Sequence, residues 1–278
     1  MTEFMRPTVT TEEVNDTVAR YIVEPLERGY GNTLGNSMRR VLLSSLDGAK
    51  ATAIQIEGVQ HEFTTAEGVI EDIADIVLNV KGLVFSQVSD EADEATAHVF
   101  AEGPCTVTGA DLEVPGQFNL VNPDHVIATV ADGGQLDMTI RIGVGRGYVS
   151  ADRNKALRPN VIGVIPIDSI YTPVYKVNYT VESTRVGASS DYDKLTLEVW
   201  TDTTITARDA VSLGAKILCD HFALFTDLSD TLGDKSTVVE KAADSKDKML
   251  ELTIEELDLS VRSFNCLKRA NINTVEDL

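Results

Sequence analysis

The chain is poor in cysteine. Three residues (Cys105, Cys219 and Cys266) are scattered over 278 positions with no CxxC pair. An odd, widely spaced set reads as free thiols in a reducing compartment, which excludes a disulfide framework and a cysteine zinc site. No apolar run is long enough to span a bilayer. The stretch Met1-Thr2-Glu3-Phe4-Met5-Arg6-Pro7 carries no hydrophobic signal core. Together these predict a cytoplasmic protein with no membrane contact. Positive charge is scarce too, and the net charge is −20. That excludes a phosphate-binding surface over the whole molecule but leaves room for a small basic patch.

The motifs of standard catalysis are also missing. There is no Walker A, HExxH or GxSxG motif and no GxGxxG after a strand. His61, His98, His125 and His221 share no metal-ligand spacing. Asp191-Tyr192-Asp193 has a DxD spacing, but it stands before a strand pattern and reads as turn chemistry. The nearest approach to a phosphate loop is Gly29-Tyr30-Gly31-Asn32-Thr33-Leu34-Gly35-Asn36. Glycines before a helix can hold an anion. A tight strand-to-helix turn is the preferred reading. No catalytic residue, metal or cofactor is expected.

What is present is an alternation of strand patterns with a few strong helices over 1–230. Strands are expected at 19–23, 52–56, 126–130, 138–142, 174–181 and 194–199. In the last, Leu195, Leu197 and Val199 share one face and Thr196, Glu198 and Trp200 the other. A first helix is expected at 34–46, capped by Asn32 or Thr33, with Leu34, Met38, Val41, Leu42 and Leu46 as its stripe. A second is expected at 66–81, with Thr64 and Glu67 in capping-box spacing and Gly82 as its stop. A third, at 207–228, has Thr206 as cap and a wide apolar face that includes Leu218, Leu224 and Phe225. Periodicity does not name what that face meets: the protein's own sheet and a second subunit both remain open.

Beyond Leu228 the composition turns to Asp, Lys, Glu, Ser and Thr. Such a stretch buries too little to offset its conformational entropy, so 231–249 reads as a flexible linker. Order resumes at 250–278 with Ser260 as a helix cap. Arg262, Lys268 and Arg269 lie there without a neighbouring acid. A capped helix of this kind can offer Arg and Asn to phosphates or groove edges. Alone this is a weak sign of DNA binding. A piece this short cannot hold its own core, so residues are expected to be missing after Leu278.

The run Leu26-Glu27-Arg28-Gly29-Tyr30-Gly31-Asn32-Thr33-Leu34-Gly35-Asn36-Ser37-Met38-Arg39-Arg40-Val41-Leu42-Leu43-Ser44-Ser45 closely resembles the α subunits of bacterial DNA-directed RNA polymerase. The resemblance continues through Ile56-Glu57-Gly58-Val59-Gln60-His61-Glu62-Phe63. It returns at Arg146-Gly147-Tyr148-Val149, at Tyr175-Lys176-Val177-Asn178-Tyr179 and at Thr184-Arg185-Val186-Gly187. Near the end it covers Leu259-Ser260-Val261-Arg262-Ser263-Phe264-Asn265-Cys266-Leu267-Lys268.

The resemblance implies an α+β fold whose N-terminal region has two subdomains. A dimerisation subdomain comprises 1–48 and 172–230, and a mostly β subdomain, 49–171, is inserted into it. The linker 231–249 follows, and 250–278 begins a small all-α, helix-hairpin-helix-type C-terminal domain. It further implies a non-catalytic scaffold, dimerising through the first and third helices (Leu34, Met38, Leu42, Leu218, Phe222, Phe225). One copy would bind the β subunit and the other β′, with Arg39, Arg40, His61, Glu62 and Lys81 as assembly residues. Arg262, Asn265 and Lys268 would contact upstream promoter DNA, and Glu256 and Asp258 the σ factor. Activators would meet the same C-terminal piece, whose second DNA-contacting element is absent after Leu278. The family's magnesium belongs to β′, so none is implied here. A stand-alone dimeric DNA-binding regulator and a nucleotide-binding enzyme are the alternatives.

Overall fold

The computed structural model describes residues 4–15, 17–89, 93–156, 161–186, 189–226 and 238–239. Two groups of buried side chains form, and the backbone passes from one to the other and back.

The first is built from both ends of this region. Strands β1 (Thr8–Asn15) and β2 (Val18–Glu27) are followed by helix α1 (Tyr30–Leu42). Far along the sequence, a β11–β12 hairpin (Val174–Val186 and Ser189–Thr201) leads into helix α4 (Ala207–Thr226). The four strands pair antiparallel in the order β11-β12-β2-β1. Leu195, Leu197 and Val199 are buried on one face of β12, as their alternation predicts. With Ala19, Tyr21, Leu42, Leu46, Val174, Ala207 and Ala210 they lie beneath α1 and α4.

The second group lies within the intervening segment. Strand β3 (Asp47–Ile56) is followed by α2 (Ile73–Lys81), β4 (Phe85–Gln87), β5 (Glu94–Glu102) and β6 (Cys105–Thr108). Then come β7 (Phe118–Leu120), β8 (Val126–Val130), β9 (Gln135–Arg146), the short helix α3 (Ala151–Ala156) and β10 (Val164–Pro166). The sheet order is β5-β9-β3-β4-β7, with β10 also on β3 and β6 pairing separately with β8. Ile54, Ile73, Ile76, Val80, Phe85, Ile127, Met138, Ile140 and Ile142 fill its core. The architecture is mixed α+β. Among the described residues, no helix is long and apolar enough to cross a membrane.

Several boundaries differ from the sequence reading. Helix α1 begins at Tyr30 and ends at Leu42, rather than 34–46, and neither Asn32 nor Thr33 caps it. Gly29 stands at its start with φ 93°, and the carboxylate of Asp193 on β12 accepts the N–H groups of Gly29 at 2.8 Å and Gly31 at 3.2 Å. Asp193 itself lies within strand β12, paired opposite Leu26, and not in a turn. Helix α2 is shorter than 66–81: the carboxylate of Asp72 accepts the Asp75 N–H at 2.8 Å and starts it. The Thr64 hydroxyl instead donates to the His61 carbonyl at 2.9 Å. Residues 66–72 are drawn onto β8, where Ile70 N–H reaches the Thr129 carbonyl at 3.0 Å and Glu71 takes the Thr129 N–H at 2.7 Å. Burial opposes the charge on Glu71, yet the N–H groups of Thr129 and of Glu71 itself, with the Thr129 hydroxyl, together outweigh it and hold the carboxyl below its ordinary value.

The start of α4 is as expected, with the Thr206 hydroxyl accepting from Asp209 N–H at 3.1 Å. Most of 231–249 and all of 250–278 lie outside the described residues. Within the stretch read as an unstructured linker, however, Val238–Val239 pairs in parallel with Phe4–Met5. Two adjacent β-branched residues favour extended backbone there.

Helix α1 approaches its sheet closely because Gly31 and Gly35 face it. A methyl at Gly35 would come within 2.6 Å of the Tyr179 ring and 2.9 Å of Leu195, both packed side chains. Replacing Gly35 with Ala is expected to destabilise the protein by about 1–3 kcal/mol through overpacking. Urea denaturation checks this, and an unchanged midpoint would contradict the close seating.

Candidate functional site

Helix α4 has an apolar stripe that outlasts its cover. Ala207, Ala210 and Gly214 are buried against the protein's own core, and Ile217 and Leu218 are half-buried. One turn on, Phe222 is 57 % exposed, and Phe225 is 68 % exposed. Leu224 is also exposed. Positions 207, 210, 214, 218, 222 and 225 follow the three- and four-residue steps of one helix face. The face thus continues after the core beneath it stops. Phe222, Leu224 and Phe225 thus leave an apolar patch at the surface.

Helix α1 lies beside α4. A methyl at Gly214 would stand 3.1 Å from Leu42 Cδ2 and 3.6 Å from Met38 Cε. Leu34 is exposed and Met38 half-buried. Leu42 corrects its expected role at a subunit interface: it is completely buried beneath α4 within its own subunit and offers no surface.

The charged residues read as assembly contacts fall into two sets. Arg40 is exposed at the end of α1 and, among the described residues, its side chain has no hydrogen-bond or ion-pair partner. His61 and Glu62 are exposed in the loop after β3. Arg39, by contrast, is held within its own subunit, with its guanidinium 5.3 Å from the centre of the Tyr179 ring and 3.3 Å from Asn36 Oδ1. Lys81 is also engaged, its Nζ 3.3 Å from Asp168 Oδ2. Arg262, Asn265, Lys268, Glu256 and Asp258 lie outside the described residues.

Three arrangements were missed by the sequence reading. Asp193 is one, although its DxD motif was visible. Its carboxylate occupies the N–H groups that could have held a phosphate at the glycine turn, which removes the basis for the nucleotide-binding alternative. A second is the ion pair of Lys50 with Asp202 at 3.5 Å, both largely buried. The third is Asp168, which gathers the Ala151 N–H at 2.8 Å as well as Lys81. Nothing local in the sequence marks either of the last two, because their partners come from distant segments. Among the described residues, no three His, Cys, Asp or Glu side chains are placed to hold a metal ion.

The Ala151 N–H holds the Asp168 carboxyl below its ordinary value; burial opposes this, and Lys81 and the Tyr148 hydroxyl add to it. A lowered folded value means that the stability Asp168 contributes is present above the unfolded carboxylate's pKa. It is lost as pH falls through the folded value. Asp168→Asn is therefore expected to lower the urea midpoint at about pH 7, with the gap closing towards about pH 3. A gap constant over that range would contradict the assignment.

Comparisons with known proteins identify the relatives of this sequence. Residues 54–172 match the family described as the RNA polymerase Rpb3/RpoA insert domain. Residues 240–278 match the C-terminal domain of the bacterial RNA polymerase alpha subunit. The protein is 54% identical over 279 residues to the DNA-directed RNA polymerase subunit alpha of Limosilactobacillus reuteri, covering 100% of this sequence and 88% of that protein. It is 54% identical over 278 residues to the subunit of the same name from Carboxydothermus hydrogenoformans, with the same coverage. For that of Moorella thermoacetica the figure is 52% over 282 residues, again covering 100% of this sequence and 88% of the relative. With such identity along its whole length, the chain belongs to the family of bacterial DNA-directed RNA polymerase α subunits.

Proposed function

We propose that two copies of this protein close the exposed stripes of α4 and the neighbouring face of α1 against each other. The dimer is then the platform on which the large β and β′ subunits of RNA polymerase assemble in the cytoplasm. The observation that carries this reading is the stripe from Ala207 to Phe225, whose last two turns have no cover among the described residues. Burying Phe222 and Phe225 on each copy contributes about 1.5–3 kcal/mol per side chain, enough to favour association. Leu34, Met38 and Leu218 border the same face.

The two separate cores support a dimerisation subdomain of 1–48 and 172–230 around an inserted subdomain of 49–171. In this reading Arg40, unpaired among the described residues of its own subunit, meets a carboxylate or backbone carbonyl of one large subunit. His61 and Glu62 extend that contact. One copy faces β and the other β′. The α subunit supplies no catalytic group and needs no cofactor. The linker 231–249 tethers 250–278, where Arg262, Asn265 and Lys268 contact upstream promoter DNA and Glu256 and Asp258 meet the σ factor. Activators bind the same piece. A tether of this kind keeps a weak DNA contact at high local concentration. The relatives' shared name as a polymerase subunit favours this reading over a stand-alone regulator.

Leu218→Asp or Phe225→Asp is expected to give folded monomers, because each would bury an unpaired charge at the interface. Size exclusion with light scattering checks this, and dimer mass in both variants would contradict it. Arg40→Ala should leave the dimer intact and weaken binding of a large subunit by about tenfold, the loss of one charge-assisted hydrogen bond. Unaltered binding would remove Arg40 from the contact. Arg262→Ala should weaken upstream promoter footprints, and unaltered footprints would count against its DNA role.

A further inference from the structure

The backbone leaves the first core near Leu46 and returns at Val174, so two short crossings connect the inserted part to the platform. We infer that Tyr171, seated on the returning crossing against Gly48, Gly145 and Gly147, and the Lys50–Asp202 ion pair set the angle between the two parts. They act as positioning residues for assembly with the large subunits. This rests on the reading of the protein as an assembly platform.

Tyr171 is 5 % exposed and belongs to neither core. Its carbonyl oxygen would lie 1.9 Å from a methyl at Gly48, on the outgoing crossing. Its ring would lie 2.8 Å from a methyl at Gly145, on β9 of the inserted part. The Tyr171 N–H donates to the Gly147 carbonyl at 2.8 Å. From the returning crossing, Tyr171 therefore reaches Gly48 at the start of the outgoing one and the inserted sheet at Gly145, in space that only glycine leaves open.

Two further ties span the same junction. The Thr172 hydroxyl donates to the Leu43 carbonyl at 3.1 Å, joining the returning segment to the end of α1. Lys50 on β3 pairs with Asp202 just after β12, and each side chain is 15% exposed. A pair so withdrawn from water is intolerant of losing one partner. A flexible connection would need none of this.

The consequence concerns a composite surface. Arg40 rides on α1, whereas His61 and Glu62 ride on the inserted part. A large subunit that grips both needs their spacing held to hydrogen-bond tolerance. A small rotation at Tyr171 would spoil that spacing while leaving the α4 stripe, and hence the dimer, untouched.

The test uses the full-length protein with spin labels at Val9→Cys on β1 and Phe100→Cys on β5, both exposed sites, and with the native cysteines changed to serine. Labelled protein is mixed into excess unlabelled protein, so that pulsed electron spin resonance reads distances within one subunit. Lys50→Asp and Tyr171→Ala are expected to keep dimer mass, broaden or shift the distance distribution and reduce large-subunit complex formation by about tenfold. Lys50→Asp combined with Asp202→Lys is expected to recover both readouts. A wild-type distribution with undiminished complex formation in the single variants would overturn the inference. So would loss of the dimer in both, since the junction would then serve folding and not the angle. Arg40→Ala runs alongside: if it weakens the complex while the junction variants do not, the positioning role alone fails. If neither Arg40→Ala nor the junction variants weaken it, the platform reading fails.

Discussion

Helix α1 can lie on its sheet only where backbone replaces side chain, and Gly31 and Gly35 supply that approach against Val181, Tyr179 and Leu195. The rest of the first core follows from this seat. Asp193 reaches up from β12 to hold the helix start, neutralising the exposed N–H groups with a charge that the helix dipole favours. At the other end, Leu42 packs beneath Gly214 and sets the position of α4. Helix α4 then runs out past the sheet, carrying its aromatic stripe beyond the core that covers its first turns.

The same seat sorts the arginines of α1. Arg39 turns back over Tyr179 and engages its charge within its own subunit. Arg40 points away and keeps its donors unused among the described residues, which matters in a protein whose net charge is −20. An unpaired cation at the C-terminal end of a helix suits the helix dipole and remains available to a partner's acceptor. Close packing and an exposed, unpaired charge thus meet on one helix of modest length.

How legible this was depended on distance along the sequence. The burial of Leu195, Leu197 and Val199 follows from alternation, and the start of α4 from Thr206, because both signals are local. The bounds of α1 did not follow, since its cap comes from a residue 164 positions away. Helix α2 was read too long because the pull of Thr129 on residues 70 and 71 is a tertiary effect that overrides helical periodicity. Strand β1 escaped notice because all eight of its residues are exposed, leaving no apolar alternation to see. Within the site, Leu42 and Phe222 belong to similar apolar patterns in sequence, yet one is sealed in the core and the other uncovered. Only the place where the sheet ends separates them. Lys81 looked free for the same reason: Asp168 is remote in sequence and near in space.

The central claim is that the uncovered stripe of α4 is closed by a second copy of the protein. The mass of the unmodified protein, measured by light scattering at micromolar concentration, tests it most directly. The expected result is a particle of twice the subunit's mass, persisting on dilution through the micromolar range. A folded particle of single-subunit mass at that concentration, with Phe222 and Phe225 left in water, would contradict it.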